Sequence, residues 1–136
     1  MTIISGPDVK KGTVDDIGSQ TDIFKTFLSL ANIKSKFSSI DSFDLSETIR
    51  KGKPSKRKFI PYFVGSELRA FRYKDHKIHF ITQGAYNMPP PRELHEKPLL
   101  YDLSKDIGES QDISEIDTKT LEIIIKESEL FKNCLL

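Results

Sequence analysis

The side chains that could act on a substrate are few. His79 lies inside the run Lys77 to Thr82, where a strand histidine packs or hydrogen-bonds locally. His95 follows three consecutive prolines, Pro89 to Pro91, and precedes an apolar stretch, so alone it reads as a surface histidine that orders a loop. Cys134 is the sole cysteine, which excludes an intrachain disulfide, a Cys-x-x-Cys pair and a four-cysteine zinc site. Lys51, Lys53, Lys56, Arg57 and Lys58 form a basic cluster that could bind nucleic acid or serve as an import signal, but more simply is a solvated loop. Arg69 and Lys77 could attract an anion or be ordinary solvated strand charges. The sequence has no zinc-finger spacing, no Gly-rich phosphate loop and no Gly-x-Ser-x-Gly elbow.

The chain that must position these residues has 136 amino acids, 37% of them hydrophobic and 30% charged. That suits one modest domain with enough apolar surface to offset its ordering entropy. Lys plus Arg number 21 against 20 for Asp plus Glu, so no net field draws the chain to nucleic acid or to an anionic membrane. No apolar run is long enough to span a bilayer. The first residues show no charged region followed by an apolar stretch, so no secretory signal is expected, and no Asn-x-Ser/Thr sequon occurs.

The periodicity places the elements. Ile3-Ile4 reads as the tail of a buried strand ended by Gly6-Pro7. Ile23, Phe24, Phe27, Leu28 and Ala31 share a stripe at helical spacing, which predicts a helix over residues 20–31. Ser19 can cap it with Asp22 as the capping-box acid, and Asn32 can close it. Residues 32–55 read as loop, with a turn or two of helix within Phe43 to Ile49. Strands follow at 59–64, 68–73, 77–82 and 98–103. Pro61 marks an edge strand, and Lys74-Asp75-His76 forms a hairpin turn in which Asp75 can take the turn conformation. Gly84 to Leu94 should be a stiff exposed loop. A last helix over 116–133 carries Leu121, Ile124, Ile125, Phe131 and Leu135 on one stripe, able to cover a sheet face.

The string Leu94-His95-Glu96-Lys97-Pro98-Leu99-Leu100-Tyr101-Asp102-Leu103-Ser104-Lys105-Asp106, then Gly108-Glu109, resembles the C-terminal signature of the sulfatase family, arylsulfatase type. Ile107 stands where proline is usual in that family. Arg69 to Arg72 and Lys77 to Gly84 are similar to the family's hairpin. Lys51 to Arg57 resembles the approach to its first strand, and the stretches Gly12-Thr13, Gly18 to Phe24 and Phe43 to Ser46 resemble segments that precede it. Lys25 replaces a usual proline. The matches run in order over about positions 5 to 112.

The resemblance implies an α+β fold: the end of an alkaline-phosphatase-like α/β domain, then a small antiparallel four-stranded sheet packed on a C-terminal helix. Residues 1–50 would be the remnant of the catalytic domain and residues 51–136 the C-terminal subdomain. It implies a sulfuric ester hydrolase whose nucleophile is a formylglycine made from Cys-x-Pro-Ser-Arg, assisted by calcium. Cys134 precedes Leu135-Leu136 and does not fit that motif, so the catalytic residues, formylglycine and calcium site are expected outside this chain. The chain alone is expected to be inactive. The contrasting reading is a truncated, non-catalytic binding or structural module. His95, His79, Tyr86 and Asn87 are the candidates for a substrate-pocket rim. A small-molecule, sugar or lipid sulfate ester would be the substrate of an intact enzyme, with no nucleic acid and no membrane span. Eukaryotic relatives are lysosomal or secreted. Without a large domain, residues 1 to about 45 should be loosely held or should expose apolar surface.

Overall fold

The computed structural model describes residues 2–34 and 41–134, so Leu135 of the last helical stripe lies outside the described residues. The chain forms two compact units, Met1–Lys58 and Phe59–Leu136.

The second unit is built on a four-stranded sheet of order β1-β2-β3-β4, all neighbours antiparallel. The strands are β1 (Phe59–Val64), β2 (Glu67–Tyr73), β3 (His76–Thr82) and β4 (Glu93–Asp102). Gly65 takes a φ of 61° in the first turn, and Lys74 a φ of 53° in the second. The left-handed residue of that hairpin is thus Lys74, with Tyr73 paired to His76 across the turn. Pro61 sits on edge strand β1, where its missing N–H breaks no ladder.

β4 is longer than the apolar pattern suggests. It begins at Glu93 rather than near Pro98, because Ile81 pairs with Leu94 and Thr82 with Glu93. Its residues 93–97 are mostly exposed and polar, so nothing in their hydropathy announces a strand. The outer edge of β4 is occupied further along. Asp112 Oδ1 accepts the Leu100 N–H at 2.9 Å, and Ile113 N–H donates to the Leu100 carbonyl at 2.8 Å. A pairing edge is blunted without a fifth strand.

The helix α3 (Thr118–Asn133) covers one sheet face. Asp117 caps it, its side chain accepting the Thr120 N–H, so the helix begins two residues after the exposed Ile116. Leu121 and Ile124 pack on Leu68, Phe71, Ile78 and Leu100. Phe131 adds an aromatic corner, its ring centroid 5.3 Å from Phe59 and 5.8 Å from Phe71. Ser128 is buried among apolar neighbours because its hydroxyl donates to the Ile125 carbonyl at 2.7 Å.

The first unit is organised differently. It contains α1 (Asp22–Leu30) and α2 (Ser46–Lys51). Asn32, at a φ of 56°, follows α1 in the left-handed conformation expected of a helix closer. The capping box is half formed: Asp22 Oδ2 accepts the Ser19 N–H at 2.8 Å, while Ser19 Oγ accepts from Thr21 rather than from Asp22. Asp22 has a larger task. It forms a two-pronged ion pair with Arg57, Nε to Oδ2 and Nη2 to Oδ1 both at 2.8 Å, with both side chains 1% exposed. The Phe43 N–H also donates to Asp22 Oδ1 at 2.7 Å, and Arg57 lies over the Phe43 ring. Burial alone would raise the Asp22 pKa. Arg57 and the two backbone donors outweigh it and hold the carboxyl below the usual carboxylate range.

Two expectations for this unit need correcting. Arg57 is no solvated loop charge; its planar guanidinium is the buried centre of the unit. Ile3-Ile4 is neither strand nor buried: Ile3 is 80% exposed, and no strand among the described residues pairs with it. A third expectation holds. α1 buries its polar side, Asp22 and Thr26, and leaves Ile23, Phe24 and Phe27 exposed.

Candidate functional site

In an antiparallel meander the C-terminal ends of β1 and β3 lie beside the N-terminal ends of β2 and β4. Both irregularities of this sheet fall there. Tyr62 pairs with Ala70 and Phe63 with Leu68, which leaves Arg69 as an extra residue in β2. His79 pairs with Leu99 and Ile81 with Leu94, so Phe80 alone faces the four residues His95 to Pro98. Bulges re-aim side chains, and here they gather polar groups at one end of the sheet.

His95 lies within the β4 excursion. Its Nε2 is 2.8 Å from Thr82 Oγ1 across the strand pair, and its Nδ1 is 3.9 Å from Glu93. The imidazole is 12% exposed, enough to present one edge to a ligand while Thr82 fixes the ring. Beside it Arg69 Nη1 donates to Gln83 Oε1 at 3.2 Å. Glu67 binds Arg69 and Arg92 on its two oxygens, at 2.7 and 2.6 Å.

The β3–β4 connection starts at this end. Gly84 is obligatory there, because a Cβ would stand 2.0 Å from the Met88 carbonyl oxygen. A short 3-10 turn, Ala85–Asn87, follows, and Tyr86 projects from it 99% exposed. The Asn87 side chain lies outside the described residues. Of the four rim candidates, Tyr86 therefore touches none of the other polar groups through a described hydrogen bond, whereas His95 is held in a defined pose.

His79 belongs to another cluster. Its Nε2 is 2.6 Å from Glu109 Oε2, and Lys77 Nζ donates to Glu109 Oε1 at 2.7 Å. Its ring meets Tyr101 edge-on at 5.6 Å. Burial, then the neighbouring Lys77 charge, lowers the His79 pKa despite the opposing pull of Glu109. Glu109 is pushed up by burial but is drawn below the usual carboxylate range by Lys77 and His79. The signature string ended on Gly108-Glu109, but nothing local named the partners of Glu109, which lies 30 residues from His79 in a loop and takes a left-handed φ of 54°.

This pattern accounts for several residues of the signature string. Leu100 is core, and Tyr101 packs against His79. Asp102 accepts from the Ser104 N–H and hydroxyl and from Lys105, and Asp106 accepts the Ser110 and Gln111 N–H groups. Ile107, in place of the usual proline, is exposed. The string encodes an edge strand and the turn that follows it.

A family model described as the C-terminal region of aryl-sulfatase matches residues 55–134. The chain belongs to the sulfatases, as their C-terminal region. It is similar to arylsulfatase A from Homo sapiens, 30% identical over 120 residues, covering 77% of this chain and 24% of that protein. It is 29% identical to arylsulfatase A from Bos taurus over 143 residues, covering 91% of this chain and 28% of the relative. The chain thus spans about a quarter of the length of these relatives. The sulfatase fold is shared with a solved sulfatase from Pseudoalteromonas sp. at a TM-score of 0.69 and 20% identity, over 82% of this chain and 25% of that one. A Bacteroides thetaiotaomicron protein tied to glycosaminoglycan metabolism aligns at a TM-score of 0.63 and 21% identity, over 82% and 24%. The α+β architecture of sheet and C-terminal helix is that of this sulfatase region.

Among the described residues no group of three or more His, Cys, Asp or Glu could hold a metal ion. No described helix is long and apolar enough to cross a membrane.

Proposed function

We propose that this chain is the C-terminal part of an arylsulfatase-like hydrolase that converts a sulfate ester and water to an alcohol or phenol and sulfate. The family match over residues 55–134 carries the reading. Residues 1–50 belong to the end of the large α/β domain, and the exposed apolar side of α1 packs against the rest of it. Residues 51–136 form the small subdomain, which closes the substrate pocket, although the approach segment 51–58 folds within the Met1–Lys58 unit through Arg57.

The role of the bulged sheet end follows. His95 presents an imidazole edge to the substrate, and Thr82 holds its orientation. Tyr86 and Asn87 stand on the loop that leaves the same end. His79, engaged by Glu109, acts by fixing the sheet to its following loop. The nucleophile and calcium belong to the large domain, where the metal would neutralise charge on the sulfate group.

Incubating the purified 136-residue chain with an aryl sulfate and calcium tests this assignment. No turnover above background is expected, since Cys134 precedes Leu135-Leu136 and not a Pro-Ser-Arg motif. Turnover would overturn the placement of the nucleophile outside these residues. A coding sequence joining the chain in frame to Cys-x-Pro-Ser-Arg marks part of a complete enzyme; one without it favours a non-catalytic module.

A further inference from the structure

The Arg69–Glu67–Arg92 triad has more positive charge and more donors than its partners absorb. Two guanidinium groups carry ten N–H donors and two charges. Against them stand one carboxylate, from Glu67, and one amide oxygen, from Gln83. Arg69 is delivered by the β2 bulge, and its side chain is only 15% exposed. Its Nε lies 2.7 Å from Glu67 Oε2, close enough to pair as a charge but not aligned as a hydrogen bond. That buried N–H has no hydrogen-bond partner among the described residues. A buried, unsatisfied donor on a charged group is costly unless a ligand or water meets it. Arg92 approaches the other Glu67 oxygen from the start of β4 and remains 45% exposed, so the arrangement opens to solvent on its side.

We propose that Arg69 and Arg92 form a binding site for an oxyanion, a sulfate or carboxylate group of a ligand docked at this end of the sheet. The planar forks suit such groups in a way that lysine would not. Glu67 orients both guanidinium groups and lowers the site's net charge to one positive, which tunes affinity downward. The site does not depend on the sulfatase reading: a chain that hydrolyses nothing would still bind the anion.

The test uses the full 136-residue chain and the arginine Nε–Hε signals in nitrogen-15 NMR spectra. Sodium sulfate and sodium glucuronate are titrated separately, against sodium chloride at matched ionic strength. A saturable shift of the Arg69 signal with either oxyanion is expected, and the arm that saturates identifies the preferred group. Arg92→Gln should weaken binding about tenfold, the loss of one charge-assisted hydrogen bond. Glu67→Gln should tighten it severalfold, which a purely structural triad would not do. Arg92 is exposed enough for its variant to fold, should Arg69→Gln fail to. The proposal is overturned if chloride reproduces the shift, if neither oxyanion saturates, or if Arg92→Gln binds as well as the wild type.

Discussion

The two units of this chain are held together by opposite means. Phe59–Leu136 has an apolar centre in which Phe71, Ile78 and Leu100 are fully buried beneath Ile124 of α3. Met1–Lys58 has at its centre an ion pair, Asp22 with Arg57, and turns the apolar side of α1 outward. A hydrophobic core tolerates imperfect neighbours, since its attraction is non-directional. A buried ion pair does not: each charge gives up its hydration and regains stability only through its partner and aligned donors. The first unit therefore depends on a few directional contacts and the second on many non-directional ones.

Breaking the ion pair should have the largest effect. Arg57→Ala leaves Asp22 buried without its counter-charge and should cost the first unit about 3–5 kcal/mol. Hydrogen exchange should then show lost protection across residues 22–30 with the β2 and β3 amides unchanged. Leu100→Ala probes the other side of the comparison. It opens a cavity in the apolar centre and should cost the second unit about 2–5 kcal/mol by denaturant unfolding. Retained protection in β2 and β3 after that substitution would contradict the division of labour.

Glu109→Gln should cost less, about 1–2 kcal/mol, because it weakens charged hydrogen bonds to Lys77 and His79 that are only partly buried. The same cluster sets a pH dependence. His79 has a folded-state pKa below its ordinary 6.5, so the unfolded chain binds more protons as pH falls through that value, and stability drops. Glu109 is likewise depressed below its ordinary 4.5, so its contribution is present above that value and is lost as pH falls below it. His79→Gln should flatten the stability profile between about pH 7 and 5 and leave the loss at lower pH in place. The smallest effect is expected at Phe27, 57% exposed: Phe27→Ser should change the isolated chain's stability by less than about 0.5 kcal/mol. A larger loss would show that the α1 apolar side already has a partner within this chain.

Much of the fold was legible in the sequence. Strand alternation, Pro61 at an edge and the apolar stripes of α1 and α3 follow from side-chain type and spacing, which local geometry reads directly; that α1 turns its stripe outward was expected only from the family resemblance. The start of β4 did not, because an exposed edge segment is polar on both sides and pairs through its backbone. Arg57 looked like one more basic residue among five near neighbours. Its burial depends on Asp22, 35 residues earlier, which no local pattern displays.

The candidate site divides along the same line. The residues from His95 to Asp106, taken with the Arg69 to Gly84 hairpin and the ordered matches before them, pointed to a sulfatase C-terminal region, because an edge strand and its following turn make local demands on residue type. Only the tertiary structure decided what the polar residues do. It set His79 on Glu109 and His95 on Thr82, and it placed two arginines around Glu67. The pairings of His95 and of the two arginines lie at the register shifts between strands, and a shift of register belongs to two segments at once; that of His79 joins a strand to a loop 30 residues on.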